Sequence, residues 1–467
     1  MAVFGVVVTS RGFFPGWLAL EARKQITGKL SDMGHEYVIV DENSMQYGAV
    51  QTYEDAKKCA ELFNENRDRI EGIIVILPNF GDEVAVATAI HESKLNVPVL
   101  VQACDDDLEL LDVDHRRDAF CGKLSVCNNL RQYGIPYTLT KLHTCSIESE
   151  EFTEDLKRFE KLCKIVNNLR KARVLAVGTR PGPFQTVRFS EKLLQKHGIS
   201  VIVEDIGNII SRANKIDDIK KLNNTISEIR EYVKVPENAP MDKIEKLARF
   251  KIALQEAVES YEADCAAVQC WNVLQNQFGC AACLAMSMLG DTGIPHACEM
   301  DVMGAITMYA LSLASGTAAG YLDWNNNYGN DRDMCINFHC SNYPASFMGC
   351  KPSIGVLDIL GTQLGYENCY GSVTGQVKPG PMTFCKISTD DASGKIRAYV
   401  GEGEFLDEKV NTFGGPAVCR VPNLQKLMHF ICGEGYEHHV SMVRGHVADI
   451  VEEALTKYLG WEVYRHS

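Results

Sequence analysis

The first hundred residues alternate short, wholly apolar runs with stretches in which apolar residues recur every three or four positions. The runs are "VFGVVVTS", "YVIV", "GIIVILP" and "VPVLVQACD"; between them lie "LALEARKQITGKLSDMG", "YEDAKKCAELFNENRDRI" and "DEVAVATAIHESK". Short continuous apolar runs read as strands buried on both faces, and the periodic stretches as covering helices, so the pattern predicts strand-helix-strand units around a parallel sheet. A long charged helix, about 149–171, leads to a second such series: "ARVLAVG", "VRFSEKLLQKHG", "SVIVED", further helices and "CAAVQC". After about Cys335 the texture changes to short β-like runs broken by Gly, Pro and Asn, including "SIGVLDIL", "CYGSVTGQV", "MTFCKIST" and "KIRAYVGEGEF". That texture predicts a mostly antiparallel sandwich or barrel, closed by a final helix "VADIVEEALTKYLG". The expected fold class is α/β: two doubly wound parallel-sheet domains, 1–150 and 151–334, followed by a mostly antiparallel β domain, 335–467.

One segment breaks the rhythm. Residues 302–322 run 21 positions without a charge, between Asp301 and Asp323. The length would span a bilayer, but four Ser or Thr, three Gly and acidic flanks argue against a membrane helix. The segment parses better as a buried helix over about 301–314, a turn at "SGTAAG" and a short strand "YLD". In a strand-helix-strand unit the helix starts at the carboxyl edge of one strand and the next parallel strand ends on that edge. Glu299, just before the helix, and Asp323, at the strand's end, should then share one crevice. Two converging carboxylates repel unless a cation or donors lie between them, and a divalent metal answers this most simply. Asp301 is expected to cap the helix N-terminus instead.

Composition narrows the class. The residues are 46% hydrophobic and 23% charged, as in ordered globular proteins. With 61 acidic against 47 basic side chains and a net charge of −14, the chain repels phosphate backbones and anionic membranes, so neither nucleic acid nor membrane is an expected partner. The opening "MAVFGVVVTSRGFFPG" lacks a basic segment ahead of its apolar run and differs from a secretory signal, which implies a cytoplasmic protein. The 18 cysteines are scattered through apolar segments and are expected to be reduced and buried.

Other candidates follow the carboxylates. "VVVTSRGFFPG" and "LAVGTRPGPF" each end a strand with an arginine, Arg11 and Arg180, placed where ligands of open parallel sheets bind. Neither loop has the glycine spacing of a nucleotide site. Asp323 opens "DWNNNYGNDRDMCINFHCSNYP", with Trp324 and Asn325 beside it as substrate contacts and His339 sixteen residues on. Near the C-terminus "GEGYEHHVSMVRGH" presents His438 and His439 in a glycine-flanked turn, where both imidazoles are expected to be accessible instead of packed on an apolar face.

"HACEMDVMGAITMYAL", "YLDWNN", "NFHCSN", "GYEHHVSMVRG" and, in the first domain, "RRDAFCGKLSVCNNLRQYGIPYTL" together resemble the metal-dependent L-fucose and L-arabinose isomerases. The resemblance implies two α/β domains and a β-rich third, a homo-hexamer in which a neighbour's first domain closes each active site, and a preference for Mn(2+), with Mg(2+) or Co(2+) as substitutes. Carried over by position, Glu299 and Asp323, 24 residues apart as in the fucose branch, match the acidic metal ligands, His439 the ligand histidine, and His339 a further histidine ligand of the arabinose branch. Arg11 resembles the arginine that reaches the sugar in the adjacent subunit, and His438 would lie against substrate. Apart from the family, the parts suit conversion of an aldose to a ketose. A hard divalent ion with open positions would chelate O1 and O2 and stabilise a cis-enediol, while Glu299 and Asp323 exchange protons with C2 and O1. Which of them is base in which direction stays open. Three rivals stand beside this reading. One is an isomerase of an anionic hexose such as a sulfonated sugar, with Arg11, Arg180 or Lys123 reading the anion. The others are a metal-dependent aldolase and a non-catalytic sugar-binding protein.

Overall fold

The computed structural model describes residues 1–467, which divide into two compact units, Met1–Asn167 and Asn168–Ser467. In the first, β1 (Val3–Val8), β2 (Glu36–Ile39), β3 (Gly72–Leu77), β4 (Val99–Ala103) and β5 (Thr138–Leu139) form one sheet in the order β2-β1-β3-β4-β5. Every pairing is parallel. β3 and β4 are buried along their whole length, which is why their sequences are apolar throughout instead of alternating. The order reverses between β1 and β3, so the ligand crevice of this unit lies where those two strands end. Arg11 follows β1 and sits there.

The second unit holds two larger sheets. β6 (Arg173–Val177), β7 (Ser200–Glu204), β8 (Cys265–Val268) and β9 (His296–Ala297) repeat the parallel arrangement in the order β7-β6-β8-β9. The other sheet is built from β10 (Gly320–Asn327), β11 (Met334–Phe338), β14 (Gly380–Asp390), β15 (Lys395–Phe405), β16 (Ala417–Arg420), β17 (His439–Arg444) and β18 (Glu462–Arg465). Six of these strands close on themselves, because β14 pairs with both β17 and β15, and closure removes the free edges an open sheet would expose. β12 (Ser353–Val356) and β13 (Tyr370–Thr374) make a separate antiparallel ribbon.

The expected fold class holds: parallel α/β sheets and a mostly antiparallel β part. Two details differ. The chain does not close on its final helix: Ala448–Glu453 is followed by β18, which adds to β15 in parallel. The strand that carries Asp323 is not the next parallel strand of the α/β sheet but β10, a barrel strand paired antiparallel with β11 and β17. The helix between them, Val302–Ser315, packs on β6, β8 and β9 and also on β14 and β17. Sandwiched between sheet and barrel, it is buried on all sides from Val302 to Leu311, which explains an apolar sequence all round. Asp301 caps it as expected, accepting from Gly304 N at 2.8 Å, and Gly316 ends it in the left-handed conformation. No helix is long and apolar enough to cross a membrane.

A candidate active site at the junction of sheet and barrel

Three elements of the second unit bring carboxylates and imidazoles together. The loop leaving β9 turns through two consecutive left-handed residues, Glu299 (φ 61°) and Met300 (φ 57°), a conformation costly for residues with side chains and characteristic of functional loops. Asp323 lies on β10 directly opposite His439, the first residue of β17, so barrel pairing alone fixes that contact. His439 Nε2 is 2.9 Å from Glu299 Oε2 and 3.6 Å from Asp323 Oδ1. His339, the residue immediately after β11, places Nε2 3.8 Å from Glu299 Oε2. Glu299, His339 and His439 are all buried.

The decisive feature is what these atoms lack. Glu299 Oε2, Asp323 Oδ1 and His439 Nε2 are buried and have no hydrogen-bond partner. A buried polar atom without a partner costs roughly 1–3 kcal/mol, and here Glu299 Oε2 and Asp323 Oδ1 each lie against the same imidazole nitrogen, His439 Nε2. Two carboxylate oxygens and an imidazole nitrogen suit a hard or borderline divalent cation. Separations of 2.9 and 3.6 Å match neighbouring ligands about 2.1 Å from a shared ion. The residues present therefore fit a divalent metal. Burial pushes the Glu299 carboxyl up, but the His339 and His439 rings outweigh it and hold it at about 2, so the group is an anion at neutral pH.

Behind His439 stands a support that orients it. Its Nδ1 lies 3.1 Å from Asp301 Oδ2 and within hydrogen-bonding reach of the Tyr321 hydroxyl. A proton on Nδ1, shared between these oxygens, leaves the Nε2 lone pair facing Glu299 and Asp323. Asp301 is a hub: Oδ2 also accepts from Tyr321 Oη at 2.7 Å and from Lys386 Nζ at 2.9 Å. Burial pushes the Asp301 carboxyl up, yet the Lys386 ammonium, His439 and Gly304 N–H hold it far below the usual carboxylate range. Gly304 has to be glycine, since a Cβ there would sit 2.4 Å from the Tyr321 ring and 2.9 Å from Asp301 Oδ2.

Of the remaining candidates, His438 lies at the rim, 43% exposed, with Nε2 3.9 Å from Asp323 Oδ1. Its expected accessibility holds; that of His439, 1% exposed, does not, because pairing with β10 draws it inside. Trp324 alternates away from Asp323: its indole donates to Tyr399 Oη at 2.9 Å and meets Phe384 edge-on. Asn325 occupies a bulge in β10, exposed, accepting from Phe338 N. Arg180 follows β6 and donates to the carbonyls of Pro181 and Gly182 with no carboxylate partner. Four residues on, Phe184 packs against Trp271, His438 and His439, so the Arg180 loop forms a wall of the cluster. In the first unit, Arg11 pairs with Glu83, donates to Gly81 O and stacks on Phe80. Lys123 is buried, donating to Thr140 Oγ1 and His143 O.

Sequence reading missed Tyr321, Lys386, Phe184 and Trp271. Tyr321 was within reach, since it precedes Asp323 by two and strand alternation puts both on one face. Lys386 carried a signal too, a cation inside the apolar run "MTFCKIST".

Residues 5–170 match the fucose/sulfoquinovose isomerase N-terminal domain, and residues 337–467 the L-fucose isomerase C-terminal domain. The chain belongs to the L-fucose isomerase family. It is thus an aldose-ketose isomerase of carbohydrate metabolism, which sets aside the aldolase and the non-catalytic binder. Among relatives of this family, a sulfoquinovose isomerase of Priestia aryabhattai is 23% identical over 339 residues, covering 72% of this chain and 73% of its own. One of Alkalicoccus urumqiensis is 21% identical over 305 residues, covering 64% and 66%. A solved periplasmic solute-binding protein of Actinobacillus succinogenes with bound D-allose covers 58% of this chain and 78% of its own at 10% identity, with a TM-score of 0.18, too low for a shared fold to be argued.

Proposed function

We propose that this isomerase is metal-dependent, that Glu299, Asp323 and His439 hold the ion, and that its substrate is a sulfonated aldohexose of the sulfoquinovose type. Two buried, unpartnered carboxylate oxygens flanking the unpartnered His439 Nε2 support the metal. The names of the relatives support the anionic sugar, while the C-terminal family model keeps L-fucose as the second reading. Manganese is the proposed ion, with magnesium or cobalt as substitutes. The bound ion would supply Lewis-acid polarisation of the sugar's carbonyl and neighbouring hydroxyl.

The protein's own groups do the rest. Glu299 and Asp323 flank His439 and can each accept or return a proton, one at C2 and the other at O1, so that an enediol forms and collapses on the neighbouring carbon. Asp301 and Tyr321 keep His439 from turning. Phe184 and Trp271 wall off water, which keeps the transferred proton from being lost at every cycle. The homo-hexamer, with Arg11 of a neighbouring copy closing the site, and a cytoplasmic location belong to the same proposal.

Activity should disappear on exhaustive chelation and return on adding manganese, with the melting curve little changed; full turnover by metal-free protein would refute metal dependence. Substrate choice is tested by incubating manganese-loaded protein with sulfoquinovose and with L-fucose in D2O. The expected outcome is ketose formation with deuterium at C2 for the sulfonated sugar and a much weaker reaction for L-fucose; the reverse order overturns the substrate assignment. Arg180, free of any carboxylate, is the proposed reader of the sulfonate. Arg180→Ala should raise KM for the sulfonated sugar roughly tenfold or more with kcat nearly unchanged, the loss expected for a charge-assisted contact. An unchanged KM removes Arg180 from that role.

A further inference from the structure

On the other side of the His339 ring from Glu299, three chain segments bring sulfur together. Cys270 follows β8, Cys298 follows β9 and Cys340 follows β11. Cys298 Sγ lies 3.1 Å from Cys270 Sγ, and Cys340 Sγ lies 3.6 Å from His339 Nδ1. The donor atoms of Cys298, His339 and Cys340 all fall within 4.8 Å of one another. All three thiols are free. The loops are pinned: Asn342 donates to His296 O at 2.7 Å, tying the segment after β11 to β9, and Ser372 Oγ donates to Cys340 O at 2.7 Å.

We propose that Cys298, Cys340 and Nδ1 of His339, completed by Cys270, form a second cation site, selective for a soft ion of the zinc class and sharing the His339 ring with the isomerase centre. Tetrahedral zinc with sulfur at about 2.3 Å and nitrogen at about 2.0–2.1 Å needs ligand atoms roughly 3.5–3.8 Å apart. The donor atoms of Cys298, Cys340 and His339 lie within 4.8 Å of one another, so shifts of about 1 Å let them share an ion, and Cys270, 3.1 Å from Cys298 Sγ, swings in as the fourth ligand. Thiolates select zinc or copper(I) over manganese and magnesium, whereas the carboxylates of Glu299 and Asp323 favour the harder ions. The two sites therefore sort ions by chemistry. Each thiol that binds releases one proton to solvent and no electron moves. Coordination through Nδ1 leaves the proton on Nε2, 3.8 Å from Glu299 Oε2, and a ring movement of under about 1 Å on binding brings that N–H into hydrogen-bonding range. Occupancy of the thiol site thus ties up an oxygen of the isomerase centre and inhibits it in a manner that excess manganese does not relieve. The ion site stands whether or not the isomerase reading does; only the inhibition rests on it.

The test uses the full-length, manganese-loaded protein, titrated with cobalt(II) as a probe of thiolate ligation. An intense near-ultraviolet thiolate-to-cobalt band saturating at one equivalent is expected, lost in Cys340→Ser while manganese remains bound by electron paramagnetic resonance. Zinc-edge X-ray absorption of the unmutated protein, which does not depend on any variant folding, should show two or three sulfur neighbours. A zinc ion with only nitrogen and oxygen neighbours, or a cobalt band that survives in Cys340→Ser, overturns the site. One equivalent of zinc at saturating manganese should cut turnover at least tenfold in the unmutated protein and leave Cys340→Ser unaffected. Sulfur-ligated zinc with full turnover would keep the site and overturn the inhibition.

Discussion

Asp323→Asn is expected to abolish isomerisation, lowering kcat by roughly 10³-fold or more, while the protein stays folded. The side chain sits on β10 opposite His439, with Oδ1 buried and unpartnered. Asparagine keeps the shape and the backbone pairing, so nothing in the barrel has to move. It removes a negative charge that would bind the ion and a group that would carry a proton, and each of those functions alone is worth roughly 10²–10⁴ in rate. Because Asp323 Oδ1 is buried without a hydrogen bond, the variant should melt at or above the temperature of the unmutated protein. Ketose formation and a thermal melt, run side by side, decide the matter. Turnover above a tenth of normal would refute the role given to Asp323, and a collapsed melt would show that its role is structural.

The second large effect is on stability. Lys386→Met should cost roughly 3–5 kcal/mol, because it strands the Asp301 carboxylate in the interior without its cation. Both side chains are 1% exposed, with Nζ and Oδ2 2.9 Å apart, so water cannot take over the missing contact. The damage should extend to the metal site, since Asp301 also orients His439. The variant is expected to bind manganese at least tenfold more weakly, the range seen when partners behind a metal ligand are removed. The double variant Asp301→Asn with Lys386→Met should recover part of the stability, as neutralising both members of a buried pair usually does. Denaturant unfolding of the single and double variants checks this. A cost below 1 kcal/mol for Lys386→Met would mean that Asp301 is satisfied without it.

The parallel sheets were legible because their strands are buried on both faces, so apolar runs and helical periodicity alone announce them. Asp301 was legible as a cap for the same local reason. Glu299 and Asp323 both come up against His439, but by another route than the one expected. "YLD" reads locally as a strand of the parallel sheet, whereas closure of the barrel through β14 and β17 claims it. A three-residue stretch holds no information about which sheet it will join; register with a strand more than a hundred residues away decides it. The thiols were hidden for the same reason. Each is ordinary beside its sequence neighbours and acquires a partner only when the segments after β8, β9 and β11 meet, while Lys386, a cation inside an apolar run, announced a buried partner without naming it. Trp324 was placed beside Asp323 by adjacency, and strand alternation turned it to the opposite face.

Whether Glu299, Asp323 and His439 hold one divalent ion is read directly by anomalous diffraction at the manganese edge from crystals of the protein grown with manganese. One peak is predicted, bonded to Glu299 Oε2, Asp323 Oδ1 and His439 Nε2 at about 2.1–2.2 Å. A fully loaded crystal whose manganese lies elsewhere, with these three side chains unbridged, would contradict the account.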